Sequence, residues 1–274
     1  IPPNPVPDHY LGVWQRLSLE SSAGTDTSSR VYWLQTPTLH ADIRVPANRP
    51  DFNGEKKLQD LTINELKQLA RQQGFAGITR VEGDTCLWCR HIDYQPPTGG
   101  RDIGRMAFEN DHIVEDGVDS VYREVWQRLS GSVGGSVILR FLDERVSGSL
   151  AAPRKGYLLI SGDYFIFARD RAVTPPKASS LTVLLEEPNL TRDQIIDILD
   201  FEISFGRKNG GKLPWEIQLS TLPFKEGRAL FPEATWASIA KACGQFIQRE
   251  HIDDGMIIRR WYSQGGPPGR AYSS

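Results

Sequence analysis

The nonapeptide Tyr10-Leu11-Gly12-Val13-Trp14-Gln15-Arg16-Leu17-Ser18 returns as Tyr122-Arg123-Glu124-Val125-Trp126-Gln127-Arg128-Leu129-Ser130, with seven of nine positions identical at an offset of 112. A recurrence of this length that includes a Trp points to a duplicated unit. Two further blocks follow in the same order. Leu61-Thr62 and the run 64–70 parallel Leu190-Thr191 and the run 192–199. Each places a Thr N-cap before an apolar pattern of helical spacing, as a short amphipathic helix requires. Trp88, Pro96 and Gly100-Arg101 match Trp215, Pro223 and Gly227-Arg228 at an offset of 127. The offset grows along the chain, so the second copy carries insertions.

Between these blocks the pattern is that of strands. Segments 30–35 and 39–45 carry β-branched or aromatic residues at period two. Hairpins are expected around Glu82-Gly83-Asp84, Asn110-Asp111 and Ser161-Gly162-Asp163. Segments 136–141, 181–185 and 216–219 read as further strands, and 232–250, with Trp236, Ile239, Ala240, Cys243 and Phe246, as a helix. So many short strands with regular turn signals imply a mainly β chain of two tandem antiparallel barrels, each with a short helix. Segment 119–129 resembles both the opening strand around Trp14 and the stretch Asp254-Gly255-Met256-Ile257 to Trp261. One long strand closing the first barrel and opening the second explains both likenesses. The domains are then 8–124 and 125–264.

Composition narrows the function classes. Thirty-two Lys plus Arg against 34 Asp plus Glu give a net charge of -2, with no basic block, so neither nucleic acid nor an anionic membrane surface is the expected partner. No apolar stretch approaches the roughly 18 residues of a spanning helix, so membrane insertion by a helix is not expected. Residues 1–7 lack a basic and then apolar signal pattern, although the chain begins with Ile1, which leaves room for a segment already removed. Three cysteines make no disulfide framework, and a cytoplasmic setting is the expectation.

Gly12-x-Trp14, just after a Pro-rich arm, resembles the opening signature of the calycin superfamily, the lipocalins and their relatives. That resemblance implies an eight-stranded up-and-down barrel in which the Trp caps one end and an Arg of the last strand packs across it. Trp14 would then meet Arg123 or Arg128, and Trp126 would meet Arg259 or Arg260, in cation–π stacks worth roughly 0.5–2 kcal/mol. Gly12, Trp14, Trp126 and Arg128 form this structural signature, from which the second copy departs by having Glu124 in place of the Gly. A two-barrel chain also looks like a small group of calycin-like double-barrel proteins of fungi.

His40, Asp42 and Arg44 alternate along one strand and share a face, opposite Leu39, Ala41, Ile43 and Val45. Ordinary alternation turns the polar triplet to water if the apolar set meets a packed layer. If the triplet lines a cavity instead, Arg44 is an anchor for a carboxylate and His40 with Asp42 a protonatable pair. Trp33 and Gln35, on one face of the preceding strand, complete the expected ligand set, Trp33 reading as core before ligand platform. Cys86-Leu87-Trp88-Cys89 has redox or zinc spacing but lies inside a strand, where residues three apart face opposite ways. It is taken as structural, and neither metal nor cofactor is expected. His9, His112 and His251 read as surface residues, and the glycine-rich stretches 131–135 and 208–212 as hairpin turns.

The function expected first is non-enzymatic binding of a small apolar or carboxylated ligand in the N-terminal barrel. An acid–base enzyme using His40 and Asp42, or a protein-interaction module with filled barrels, are the other classes. The sequence sets no oligomeric state.

Overall fold

The computed structural model describes residues 4–50, 52, 54, 57–231, 245–252 and 255–263. The first half forms nine antiparallel strands: β1 (Gly12–Ser21), β2 (Gly24–Asp26), β3 (Arg30–Gln35), β4 (Leu39–Val45), β5 (Gln73–Glu82), β6 (Thr85–Asp93), β7 (Ile103–Glu109), β8 (His112–Gly117) and β9 (Tyr122–Arg128). Neighbours in sequence pair in space, and β9 returns to β1, so eight strands close a barrel with β2 as a short flap on β1. Helix α1 (Ile63–Leu69) connects β4 to β5, its start fixed by the Thr62 and Glu65 side chains in a reciprocal capping box.

The second half forms β10 (Ser136–Val146), β11 (Ser149–Leu150), β12 (Gly156–Ser161), β13 (Tyr164–Arg169), β14 (Glu202–Arg207), β15 (Glu216–Ser220), β16 (Gln245–Ile252) and β17 (Gly255–Ser263). Their order, β15-β14-β13-β12-β10-β17-β16 with β11 on β10, is a curled half-barrel among the described residues. Helices α2 (Leu181–Leu184) and α3 (Arg192–Leu199) lie between β13 and β14. Segment 181–185, expected as strand, is therefore largely helical. The Ser180 hydroxyl caps it by accepting from the Val183 amide, and its apolar run supplies Leu181, Leu184 and Leu185 to the core. The helix expected over 232–250 lies outside the described residues as far as 244, and its last part is strand β16, paired along its whole length with β17.

The internal duplication is visible strand by strand. The opening strand of each sheet pairs with the last one, β1 with β9 and β10 with β17, and both pairings carry a bulge, after Arg16 and after Phe141. The Thr62 capping box on α1 returns as the Thr191–Gln194 box on α3. Gly77 and Gly206 each sit at a bulge where a Cβ would come within 1.9 or 2.0 Å of a carbonyl oxygen of the next strand, so both positions exclude a side chain. Trp88 lies opposite Thr79 in the first sheet and Trp215 immediately precedes β15 in the second, and the two fill the two cores in turn.

The repeated nonapeptide has a different meaning from the expected one. Strand β9 pairs with β8 and β1 and ends at Arg128, and the second sheet opens separately at Ser136. Among the described residues β9 and β10 are separate strands, and no strand is shared between the sheets. The two copies of the motif are antiparallel partners: Trp14 lies opposite Arg128 and Arg16 opposite Trp126. The counterpart of the 119–129 segment is instead β17, whose Trp261 stands to Phe246 as Trp126 stands to Ile113. The stretch 131–135, expected as a hairpin turn, is the link between the sheets.

The largest core lies between the two sheets. The outer face of β3 and β4, with Leu34, Leu39, Ala41, Ile43 and Val45, packs on Leu159, Ile166, Ala168, Ile203 and Phe205 of the second sheet. Tyr32 stacks on Phe205 at 4.1 Å between centroids. Arg171 ties the halves together by donating to the carbonyls of Asp93 (3.1 Å) and Tyr94 (2.6 Å) as well as to Ile198 (2.6 Å). Because the second sheet covers the outside of β4, its alternating polar residues turn inward. His40, Asp42 and Arg44 face the barrel interior, His40 and Asp42 fully buried, which corrects the expectation that the triplet meets water.

Candidate functional site

The barrel interior divides along its length. One end is filled by Trp14, Trp33, Trp88, Trp126, Cys86, Met106 and Ile113, with Tyr10 of the 3-10 turn Asp8–Tyr10 packed beneath them. Trp33 is the hub of that cluster, edge-on to Trp88 at 5.5 Å and to Trp126 at 5.8 Å. The Trp14 indole donates to the Tyr10 carbonyl at 2.8 Å, and Arg128 covers its ring. Of the expected stacks, Trp14 thus takes Arg128, while Arg123 pairs with Asp116 outside. Trp126 meets neither Arg259 nor Arg260: it lies inside the first barrel, and those arginines bind Glu144 and Asp143 of β10.

The other end is polar and open. A pocket of about 430 Å³ opens there between β1, β4, β6 and β9, lined by Arg16, Arg44, Arg71, Arg90, Glu115 and Glu124 among others. Its floor is a continuous buried ion-pair network. Glu124 Oε1 accepts from Arg16 Nη1 at 2.8 Å and from Arg44 Nη1 at 3.0 Å. Arg16 also donates to Asp26 at 2.7 Å, and Arg44 holds both carboxylate oxygens of Asp42 at 2.9 and 3.2 Å. Arg90 is bound by Asp93 at 2.8 Å and Asp102 at 2.7 Å, which closes the seam where β6 and β7 diverge. Each of these guanidiniums, Arg16 buried, Arg44 half-buried and Arg90 exposed, already has two carboxylate partners that offset its charge toward a further anion. Arg71, exposed at the rim just after α1, has no ion-pair partner among the described residues.

Glu115 and Glu124 face each other across β8 and β9, 3% and 2% exposed. Tyr122 donates its hydroxyl to Glu115 Oε1 at 2.7 Å and Trp126 its indole N–H to Oε2 at 3.0 Å. Burial, and next the Glu124 carboxylate beside it, push the Glu115 carboxyl up to about 8, against the lowering effect of the Tyr122 hydrogen bond and of Arg44.

The five residues expected to bind ligand all line the barrel interior, but they separate into two groups. Arg44 reaches the open pocket, and Asp42 lies just beneath it with Trp33 at a void of only about 10 Å³. Gln35 and His40 belong to a closed network deeper in. His40 Nδ1 is 3.0 Å from Thr79 Oγ1, which donates to Gln35 Oε1 at 2.8 Å, and the Trp33 indole donates to the same oxygen at 3.2 Å. Burial first, and then Arg90, hold His40 well below the usual histidine range. His40 and Asp42 thus have separate partners and do not form an acid–base pair. Sequence reasoning missed Arg16, Arg71, Arg90, Glu115 and Glu124. The one available signal was the period-two set Tyr122, Glu124, Trp126, which mirrors the His40 triplet with polar and aromatic residues on one face.

Cys86 faces the barrel core and Cys89 the other side of β6, so the CxxC spacing joins nothing. Among the described residues no cluster of His, Cys, Asp and Glu is placed to hold a metal ion, and no helix is long and apolar enough to cross a membrane.

Fold and site together define a mainly β protein: a closed antiparallel barrel, packed with tryptophan at one end and charged at the other, backed by a curled second sheet. No protein-family model and no curated protein matches the chain. Among solved structures it is similar to the uncharacterized protein YLR301w of Saccharomyces cerevisiae, with a TM-score of 0.50 and 12% identity over 93% of this chain and 98% of that one. The likeness is one of fold.

Proposed function

We propose that this chain is a small-ligand binding protein of calycin-like type whose site is the charged mouth of the first barrel. The carrying observation is the pocket itself: an unfilled space of about 430 Å³ at the polar end of a barrel whose other end is solid tryptophan. The arginine across Trp14 and the β1–β9 closure support the calycin relation. Because side chains occupy the apolar half, the ligand is polar, with a carboxylate received at Arg71. Arg44 acts as a wall of the site rather than as its anchor, since Asp42 and Glu124 already hold it. The second sheet supports the first from outside, its concave face packed by Leu139, Phe165, Phe167, Phe246 and Trp261.

The test is calorimetric titration of the purified chain with small mono- and dicarboxylates, repeated on Arg71→Gln. Loss of one exposed charge contact should weaken binding by about fivefold, near 1 kcal/mol. Equal affinity in the variant would remove Arg71 from the site, and no binding by any carboxylate would remove the reading.

A further inference from the structure

We propose that the free edge of β6 docks an extended peptide segment of a partner protein, which adds to the first barrel antiparallel to β6 and turns an acidic side chain to Lys155. Strand β5 pairs with β6 along its whole length, from Glu82 opposite Thr85 to Phe75 opposite Asp93. Strand β7 leaves early. Its pairing ends with Ile103 opposite Leu87, and one further bond crosses the seam, from the Trp88 amide to the Asp102 carbonyl at 2.9 Å. From Cys89 to Asp93, about 16 Å of strand, β6 has no strand on that side among the described residues. In an antiparallel ladder every second residue turns its amide and carbonyl the same way. Trp88 faces the seam, so Arg90 faces it too, and no backbone hydrogen bond from residues 97–102 reaches Arg90. A groove of about 750 Å³ runs along this edge, with residues 87–93 on one side and 97–102 and 170–175 on the others.

The second sheet shows the same edge covered. Gly206 pairs with Ile217 at a bulge as Gly77 pairs with Arg90, so Ile217 and Arg90 hold the same place. There the chain after the 3-10 turn Pro223–Lys225 folds back antiparallel onto β15. The Ile217 amide donates to the Arg228 carbonyl at 2.9 Å, and its carbonyl accepts from the Gly227 amide at 2.8 Å. The Trp215 carbonyl accepts from Leu230 at 2.8 Å. Gly100 and Arg101, which match Gly227 and Arg228, stay exposed and make no such bonds, and Arg101 pairs with Asp119 at 2.8 Å instead. The first copy thus lacks the backbone that the second copy supplies from its own chain. An unpaired edge of this kind is a template for strand addition. The groove walls admit one chain, whereas the sheet edge of a second folded copy would bring its neighbouring strand against 97–102. Lys155 sets the chemistry of that chain: it lines the groove, is exposed, donates to the His91 carbonyl at 3.4 Å and has no ion-pair partner among the described residues.

Selection of a display library of random decapeptides on the immobilised full chain, followed by fluorescence anisotropy of the best synthetic peptide, tests this. Selected peptides should carry Asp or Glu and no Pro in the paired stretch. Methylation of single peptide amides should weaken binding about tenfold or more at every second position and little between them, as a ladder requires. Hydrogen exchange of the Arg90 amide should slow by about tenfold or more in the complex. Lys155→Glu, whose folding the native tryptophan fluorescence checks, should weaken an acidic peptide by about fivefold. No enrichment of any peptide, or binding indifferent to which amide is methylated, would overturn the added strand. A dimer in sedimentation with the Arg90 amide already protected would give the edge to a second copy and overturn the partner peptide. Equal affinity in Lys155→Glu would overturn the acidic contact.

Discussion

Arg128 lies across the ring of Trp14 with its guanidinium carbon 4.5 Å from the centroid, so the last strand of the barrel clamps the first at its tryptophan-filled end. The same side chain donates to the carbonyls of Leu11 at 3.0 Å and His9 at 3.3 Å, which fixes the entry of the chain into β1. Gly12 makes the approach possible: its φ of 117° and the Ser132 hydroxyl 2.9 Å from where a Cβ would stand both exclude a side chain there. Arg128→Ala should therefore destabilise by at least about 2 kcal/mol, from the lost cation–π contact and the orphaned carbonyls. Arg128→Lys should recover less than half of that, because a Lys cannot both stack and fork. Urea unfolding followed by tryptophan fluorescence measures it, and a change below about 0.5 kcal/mol, the size of an ordinary surface substitution, would show the clamp to be incidental.

Glu124 is the node of the barrel floor. Glu124→Gln leaves Arg16 and Arg44 sharing a neutral partner inside the barrel and should cost about 3–5 kcal/mol. Replacing Arg16, Asp42, Arg44 and Glu124 together by apolar residues of similar volume should cost less than the single change, since no buried charge is then stranded and Asp26 is partly exposed. Equilibrium unfolding of the two variants decides it, and a quadruple variant less stable than the single one would contradict the network's account.

Stability should depend on pH at both ends of the chain's range, for opposite reasons. Burial works against ionisation of Asp200 and Glu250, but Arg169 and Arg154 bring the first, and Lys225 and Arg259 the second, down to about 2. Their folded values lie below their unfolded ones, so they stabilise above about pH 4, and that contribution is lost as pH falls from about 4 toward 2. Glu115 behaves in the opposite sense. Its folded value is raised to about 8, so its contribution is fully present below the unfolded value near 4 and is lost as pH rises from there to 8. Glu115→Gln should flatten the stability curve between pH 5 and 8 and leave the acid limb unchanged. Asp200→Asn should do the reverse. Denaturant midpoints measured across pH read both limbs separately.

The two sheets should unfold together. The core between them joins Leu34, Ala41, Ile43 and Val45 to Ile166, Ile203 and Phe205, and Arg171 and Arg49 lock backbone carbonyls across the boundary. Fluorescence and far-ultraviolet circular dichroism should give one coincident transition. A fragment spanning 1–134 should expose that apolar face, bind a hydrophobic dye and associate. Two resolved transitions in the whole chain, or a stable monomeric fragment, would show that the shared core is dispensable.

Most strands and hairpins and the two Thr-capped helices were legible in the sequence because they rest on local signals, whereas the Ser180-capped turn 181–184 and strand β16 were not. The turn at Gly83-Asp84 and the boxes opened by Thr62 and Thr191 need nothing beyond a few neighbouring residues. The duplication was legible too, through Trp88 and Trp215. What misled was the strongest likeness of all: two copies of Val-Trp-Gln-Arg look like equivalent strands, whereas they are partners, because an antiparallel pair places each Trp against the other copy's Arg. The orientation of β4 was illegible for a related reason. Alternation says which residues share a face, and only the second sheet, packed on the outside, decides that the apolar face turns out and His40, Asp42 and Arg44 turn in. The pocket draws Arg16, Arg44, Glu115 and Glu124 from four strands spread over more than a hundred positions, and no local spacing announces such a meeting.

The claim that the charged mouth of the first barrel is the ligand site is tested most directly by nuclear magnetic resonance of the full chain, titrated with the tightest-binding small carboxylate. Shifts should concentrate on the backbone amides of Arg71, Gln73 and 120–122 and on the Trp126 indole N–H, which donates to Glu115. Shifts centred instead on the groove lined by Cys89, His91, Pro97 and Arg171 between the two halves would contradict the account.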